Sequence, residues 1–244
     1  MERFTPDRSY LICTVQRTGS QLFCILLQDT GLVGFPPAHD LCTACWKESW
    51  TSDEFSADVD HALRAATGPN GISGSRMFWN AWERFLERSR AVWAHEDADD
   101  IEVLAAVFSE LQFVWLRRRD KLRQAISFWR ATTGEDQFRY PTDGTPVNVP
   151  EFDFDRISFF IEHVSKQEDE WRDWFDRHEM TPRQVIYEDL VSDRAGVIRD
   201  VLEYLQVGNV ENVAIPEPRV VQQADEQTER YIQLYEEERE RRSA

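Results

Sequence analysis

The strongest constraint on this chain lies near its start. Tyr10-Leu11-Ile12-Cys13-Thr14-Val15 is a nearly continuous apolar run of strand-forming residues, the pattern of a parallel strand buried on both faces. Gln16-Arg17-Thr18-Gly19-Ser20-Gln21 breaks the run with polar residues and one glycine. Leu22, Phe23, Ile25, Leu26 and Leu27 then recur at helical density, and Gly31 and Gly34 end that helix. Strand, polar glycine loop and helix in this order open a parallel α/β unit. The loop also sets free N–H groups and the positive end of a helix dipole against whatever approaches, which favours an anion. Arg17 adds a permanent charge on a planar fork suited to phosphate or sulfate. Gly19 lets the backbone come close, and the Ser20 hydroxyl can donate one more bond. The loop is shorter than GxxxxGK[ST], and no Lys-Ser/Thr pair ends it, so a nucleoside-triphosphate and magnesium site is poorly supported.

The rest of the chain continues the alternation. Ile72 to Phe78 predicts a second strand, introduced by the turn Gly68-Pro69-Asn70-Gly71, and Trp79 to Val92 a helix with Trp82, Phe85, Leu86 and Ser89 on one face. Ile101 to Phe108 predicts a short helix, and Gln112 to Leu116 a third strand that runs into Arg117-Arg118-Arg119-Asp120. A helix follows through Leu122, Ala125, Ile126 and Trp129. Residues 132–150 hold Gly134, Pro141, Gly144, Pro146 and Pro150, the composition of a flexible lid or substrate loop. Ile157, Phe160, Ile161, Val164, Trp171, Trp174 and Phe175 keep one face of a long amphipathic helix. Arg183 to Tyr187 predicts a fourth strand, Ala195 to Leu205 another helix, and the tail from Asp225 a polar helix. No repeat or linker divides the chain, so residues 1–244 form a single α/β domain, a parallel sheet flanked by helices on both faces.

Charge and cysteine usage narrow the function classes. Asp and Glu outnumber Lys and Arg by 45 to 28, a net charge of −17. A general nucleic-acid binder needs a basic surface to displace counterions, so that class is excluded, and an anionic membrane is disfavoured by the same sign. A small anion in a locally basic pocket remains compatible. No apolar stretch reaches the length of a membrane span, and the N-terminus has no signal-peptide core, which places the protein in the cytoplasm. Cys13, Cys24, Cys42 and Cys45 fit a reducing compartment. Cys42-Thr43-Ala44-Cys45 has no second pair to complete a zinc site, so these are small thiols in a loop or first helical turn rather than ligands, with a redox pair as the sharper alternative.

In parallel sheets, ligands bind beyond the carboxyl ends of the strands. Two such ends are basic here, the loop at Arg17 and the run Arg117-Arg118-Arg119. Three arginines are costly to hold together unless an anion neutralises them. The other reading pairs them with Asp120 and nearby carboxylates. Ser127, in the helix after the arginines, can face the same ligand. Phosphate sites on two strand ends point to a nucleotide phosphorylated at both its 5′ and 3′ positions.

At these residues the chain resembles a known family. Val15 to Ser20 resembles the 5′-phosphosulfate loop of bacterial sulfotransferases of the trehalose 2-sulfotransferase family. Thr30-Gly31-Leu32-Val33-Gly34 before Pro36 is similar to the end of its first helix and its acceptor loop, here residues 35–55. Asn70 to Asn80 resembles its central strand, with Arg76 where a Lys usually stands. Arg118-Arg119-Asp120 through Gln124-Ala125-Ile126-Ser127-Phe128-Trp129-Arg130-Ala131 resembles its 3′-phosphate motif most closely. Trp171-Arg172-Asp173-Trp174-Phe175 and Gln223-Ala224-Asp225 follow in family order, so the likeness covers nearly the whole chain.

The resemblance implies a P-loop-like sulfotransferase fold and transfer of a sulfonate from 3′-phosphoadenosine 5′-phosphosulfate (PAPS) to a hydroxyl of a small acceptor, leaving 3′-phosphoadenosine 5′-phosphate (PAP). It implies cofactor binding by Gln16, Arg17, Thr18, Gly19, Ser20, Gln21, Arg118, Arg123 and Ser127, and acceptor binding by Phe35, Pro36, Trp46 and Arg76. The chemistry requires no metal, because Arg17 and the loop N–H groups can stabilise the departing phosphate. A homodimer is compatible with this reading. Several positions depart from the family. Gln21 replaces a Ser or Thr, Arg123 stands where Ser is common, and Gln222 replaces an Arg. Ala38 occupies the position of the family's catalytic Glu, which leaves His39, with Asp40 beside it, as the candidate base. Phe35 and Pro37 replace polar residues that touch the sugar, so trehalose is not the expected acceptor. The competing classes are a non-catalytic PAP- or PAPS-binding relative, raised by Ala38, and a P-loop kinase, which the absent Lys-Ser/Thr pair disfavours.

Overall fold

The computed structural model describes residues 4–34, 41–133, 150–208, 210–217 and 226–244. Four parallel strands, β1 (Arg8–Thr14), β2 (Ile72–Phe78), β3 (Leu111–Arg117) and β4 (Arg183–Ile186), form one sheet in the order β2-β1-β3-β4. The apolar run at residues 10–15 is accordingly central, and Tyr10, Leu11, Ile12 and Cys13 have no exposed surface. Leu11 pairs with Ser75 on one side and Phe113 on the other. The short β4 pairs with the end of β3, from Val114–Arg183 to Arg117–Ile186.

Alternation along the strands divides the core. Leu11, Cys13, Phe113 and Trp115 face a layer made of α2 (Leu41–Trp46), α3 (Ser52–Ala66), α4 (Trp79–Trp93), α5 (Asp100–Val107) and the long α7 (Phe154–Arg177). Tyr10, Ile12, Val114 and Leu116 face α1 (Ser20–Asp29) and α9 (Arg194–Tyr204). A third cluster joins α6 (Lys121–Thr133) and α7 to the C-terminal α10 (Glu226–Ser243) through Trp129, Phe160 and Tyr231. The expected α/β class with a parallel sheet flanked by helices is therefore the observed one.

Three local expectations change. Tyr187 does not end β4 but begins the short helix α8 (Tyr187–Ser192). The segment 35–55, expected as an acceptor loop, is helical at Leu41–Trp46 and again from Ser52. Thr51 starts α3 with a reciprocal capping box, its side chain accepting from the Glu54 N–H while Glu54 reaches back to the Thr51 N–H. Cys42 and Cys45 sit in α2, Cys42 in its first turn as one of the two readings had it, and both are buried. Of the loop expected at 132–150, residues 132 and 133 belong to α6 and residues 134–149 lie outside the described residues. No helix among the described residues is long and apolar enough to cross a membrane.

Candidate functional site

The strand order places the site. The chain leaves β1 toward β2 on one side and leaves β3 toward β4 on the other, so the carboxyl ends of β1 and β3 border the crevice where the connections diverge. The loop 15–19 and the turn 118–120 close over that crevice. Thr14, the last residue of β1, ties the two strand ends together, its hydroxyl lying 3.0 Å from the Leu116 carbonyl and 2.6 Å from the Thr18 hydroxyl. Thr18 in turn donates to the Val15 carbonyl at 3.0 Å and is fully buried. Trp171 of α7 donates its indole N–H to the Thr14 carbonyl at 3.0 Å. Thr18 is thus a brace inside the loop, and its side chain faces the strand ends.

The residues around Thr18 take the strained backbone. Arg17 has φ 63° and Gly19 φ 84°. The left-handed region is routine for Gly and costs a bulky residue of order 1–3 kcal/mol, a strain found where structure holds a side chain for function. A Cβ on Gly19 would also lie 2.2 Å from a ring carbon of Tyr187, so any side chain there would have to displace that ring. Gly19 is the N-cap of α1 and makes no side-chain cap, which leaves the helix N-terminus to the loop and its ligand.

The two basic ends meet. Arg17 Nε donates to Ser127 Oγ of α6 at 2.9 Å, and Arg118 Nη1 donates to the Arg17 carbonyl at 3.2 Å. Gln124, one turn before Ser127 on α6, donates to the Gln16 carbonyl at 2.8 Å. Residues separated by a hundred positions in sequence therefore form one contiguous polar patch. The Arg118 side chain is 11% exposed, its guanidinium lies 4.6 Å above the Tyr187 ring, and among the described residues its Nε has no hydrogen-bond partner. Burial pulls this guanidinium below its ordinary value, with Tyr187, Glu188 and Asp120 working in the other direction. The side-chain oxygens of Gln16 and Gln124 are buried and likewise have no hydrogen-bond partner among the described residues. A buried cationic donor without a hydrogen bond is costly, and the Glu188 carboxylate, 3.9 Å from Nε, meets it only at ion-pair distance.

The other two arginines of the run are engaged elsewhere. Arg117 binds Glu168 of α7 at 2.8 Å and Arg119 binds Asp189 of α8 at 2.6 Å. The expectation that all three gather around one anion is corrected in favour of carboxylate pairing, with Arg118 alone turned to the loop. Arg123, named as a cofactor ligand, is held by Glu229 at 2.5 Å and by Asp120 at 3.0 Å. Arg76, named for the acceptor, makes long bonds of 3.4 Å to Ser20 Oγ and Gln21 Oε1, so it stands beside the start of α1. Its guanidinium lies 4.9 Å from the Phe78 ring, which stacks on Trp46 at 6.3 Å, and Trp46 is 44% exposed. Arg76, Phe78 and Trp46 thus form a cationic and aromatic flank to the loop. Trp79 packs edge-on against Trp171 and Trp50 against Phe55, which accounts for both by packing. Phe35, Pro36, His39 and Asp40 lie outside the described residues.

The loop after β1, Ser127 of α6 and the buried Arg118 just past the end of β3 are thus neighbours in the fold. The sequence model of the Stf0 sulphotransferase family matches residues 9–238. The chain belongs to that family. Two trehalose 2-sulfotransferases, from Mycolicibacterium smegmatis and Mycobacterium tuberculosis, are 25% and 24% identical to it, over 93% of this chain and 94% of theirs. Among solved structures, the sulfotransferase domain of the Synechococcus PCC 7002 olefin synthase has a TM-score of 0.48 at 14% identity, covering 97% of both chains. The sulfotransferase domain from the curacin biosynthetic pathway has a TM-score of 0.48 at 12% identity, covering 96% of this chain and 99% of that one.

Within this family member, Tyr187 and Glu188 were not singled out from sequence. Tyr187 fills the space between Gly19 and Arg118, and Glu188 accepts the backbone N–H groups of Arg119 and Asp120 at 3.0 and 3.2 Å. The available signal was an aromatic and an acidic residue immediately after a short strand whose carboxyl end borders the site.

Proposed function

We propose that this chain is a PAPS-dependent sulfotransferase acting on a hydroxyl of a small acceptor such as a sugar, a nucleoside or a glycosylated metabolite. The observation that carries the reading is the bond from Arg17 Nε to Ser127 Oγ, with Arg118 on the Arg17 carbonyl. It supports a single donor that spans both strand ends, held at its 5′ end by residues 16–21 and at its 3′-phosphate by Arg118 and Ser127. Arg123 would join them only by leaving its carboxylate partners. The relatives' sulfotransferase activity supports the same reaction class.

In the transfer, the bond from sulfur to the bridging phosphate oxygen breaks and a bond from sulfur to the acceptor oxygen forms. The phosphate oxygen keeps the electron pair, and the acceptor proton goes to a base. Arg17 stays cationic at any working pH, and with the N–H groups at the start of α1 it opposes the charge that develops on the departing oxygen. Arg118 and Ser127 act away from the reacting sulfur, where binding energy can orient the donor. We assign the base to His39, with Asp40 orienting or replacing it, because Ala38 cannot accept a proton. The flank of Arg76, Phe78 and Trp46 lies where an acceptor ring could stack, and Phe35 and Pro36 belong to the same acceptor segment.

Incubation of the full chain with PAPS and a panel of hydroxyl metabolites tests the reading. The expected result is PAP formation coupled one-to-one to a product heavier by one sulfonate group. Binding of PAPS with no transfer to any acceptor class would favour the non-catalytic reading, and binding of ATP with magnesium in preference to PAPS would favour a kinase.

A further inference from the structure

The junction of β4 and α8 touches both arms of the anion site. The Tyr187 ring packs against Gly19 in the loop after β1 and lies under the Arg118 guanidinium at 4.6 Å. The adjacent carboxylate of Glu188 grips the turn after β3. Its Oε2 accepts the Arg119 N–H at 3.0 Å, its Oε1 accepts the Asp120 N–H at 3.2 Å, and that Oε1 stands 3.9 Å from Arg118 Nε. Two N–H groups of one turn, each bound to a different oxygen of one carboxylate, allow that turn a single orientation. Bonds of this charge-assisted kind are roughly twice as strong as neutral ones.

The charge balance makes the arrangement specific. A carboxylate beside a phosphate site repels the ligand unless a cation offsets its charge, and here both oxygens accept backbone N–H groups while the Arg118 guanidinium stands 3.9 Å away. The neighbouring cations are committed too, Arg119 to Asp189 and Arg123 to Glu229 and Asp120. Arg118 instead reaches the Arg17 carbonyl through Nη1 at 3.2 Å, while its buried Nε, without a hydrogen-bond partner among the described residues, stands at ion-pair distance from Glu188. Its direction is set by the ring below it and the turn that Glu188 holds.

We infer that Glu188 is the positioning residue that makes the site select a nucleotide bearing a 3′-phosphate over the same nucleotide with a free 3′-hydroxyl. The inference rests on the proposed donor and adds the group that enforces its selection. Without Glu188 the turn can tilt, and Arg118 then meets a phosphate at the wrong distance, where about 1 Å of misplacement is costly. The 5′ end touches this turn through the bond from Arg118 to the Arg17 carbonyl, but it is held mainly by Thr18 on the Val15 carbonyl, Gln124 on the Gln16 carbonyl and Arg17 on Ser127, and is expected to change little.

Titration calorimetry of the full chain with PAP and with adenosine 5′-phosphate, on wild type, Glu188→Gln and Asp189→Asn, tests this. Wild type and Asp189→Asn are expected to prefer PAP. Glu188→Gln is expected to lose about tenfold or more of its PAP affinity, the scale of one charged hydrogen bond, with little change for adenosine 5′-phosphate. In turnover, its KM for PAPS rises while kcat at saturating PAPS falls much less. Equal losses for both nucleotides, or an undiminished PAP preference, would overturn the inference. If wild type itself shows no preference for PAP, the proposed donor is wrong and the inference falls with it. Should Glu188→Gln fail to fold, Glu188→Asp keeps the charge but withdraws it by one methylene, and it is expected to lose the preference. Retention of the preference in that variant overturns the role.

Discussion

Arg17 and Arg118 are bonded to each other yet stand to do different work. Arg17 occupies a left-handed backbone position and reaches across to Ser127, whereas Arg118 is buried against Tyr187. Arg17→Ala is expected to lower kcat by more than it weakens PAP, because its charge matters most as the bridging oxygen departs. Arg118→Ala is expected to raise KM for PAPS with a smaller effect on kcat. Steady-state kinetics beside calorimetry reads both, and loss of affinity alone in both variants would contradict the division. His39→Gln is expected to lower kcat by roughly 10²-fold and to remove the limb of the pH profile near the histidine pKa of about 6.5. If Asp40→Asn does this and His39→Gln does not, the roles exchange. At this scale the loop with Arg17 and Gly19 between strand and helix was legible, because strand, glycine loop and helix are local, whereas the contact of Ser127 with Arg17 spans the fold. The run itself did not separate Arg118 from Arg117 and Arg119; only the family resemblance named Arg118. Their fates depend on Glu168 and Asp189, which are distant in sequence and reach them only through folding.

Among the elements, those with a long apolar period were legible and those set by end chemistry were not. The face of α7 could be read from Ile157 to Phe175, and those residues are buried against the sheet and α6. Helix α3 was overlooked although Thr51 and Glu54 announce its capping box, since the segment was read by its resemblance to an acceptor loop. Thr51→Ala is expected to cost about 1 kcal/mol of stability with no change in PAP binding, measured by urea unfolding. The junction at Tyr187 was read as strand because its apolar neighbours Val185 and Ile186 continue β4, and only the turn to α8 carries Glu188 toward the site. Trp171→Phe keeps the packing but removes the N–H on the Thr14 carbonyl. It is expected to cost about 1 kcal/mol and to weaken PAP binding, because Thr14 braces both strand ends. Full PAP affinity in this variant would show that the brace is not needed.

For the whole molecule, a net charge of −17 surrounds a crevice that is locally basic. Excluding nucleic acid from that charge did not exclude an anionic ligand, because the loop N–H groups and Arg118 act within a few ångströms. Acid stability follows from the carboxylates. Partial burial works against ionised Glu188, but the N–H groups of Arg119, Asp120 and Glu188 itself outweigh it and hold the carboxyl below its usual range. Glu229 is held low by Arg123, and Glu238 by Arg242 and Arg241. Groups depressed in the folded state stabilise it above their unfolded pKa, near 4.3 for Glu, and lose that contribution as pH falls through the lower folded value. The urea midpoint is therefore expected to drop below about pH 4, and Glu188→Gln is expected to flatten part of that drop.

The central claim is one site for a nucleotide phosphorylated at both ends, and calorimetry of PAP against ATP without added magnesium tests it most directly. PAP is expected to bind the wild-type chain at least about tenfold more tightly than ATP, because Arg118 and Ser127 have no 3′-phosphate to hold in ATP. ATP binding equal to or tighter than PAP would contradict it.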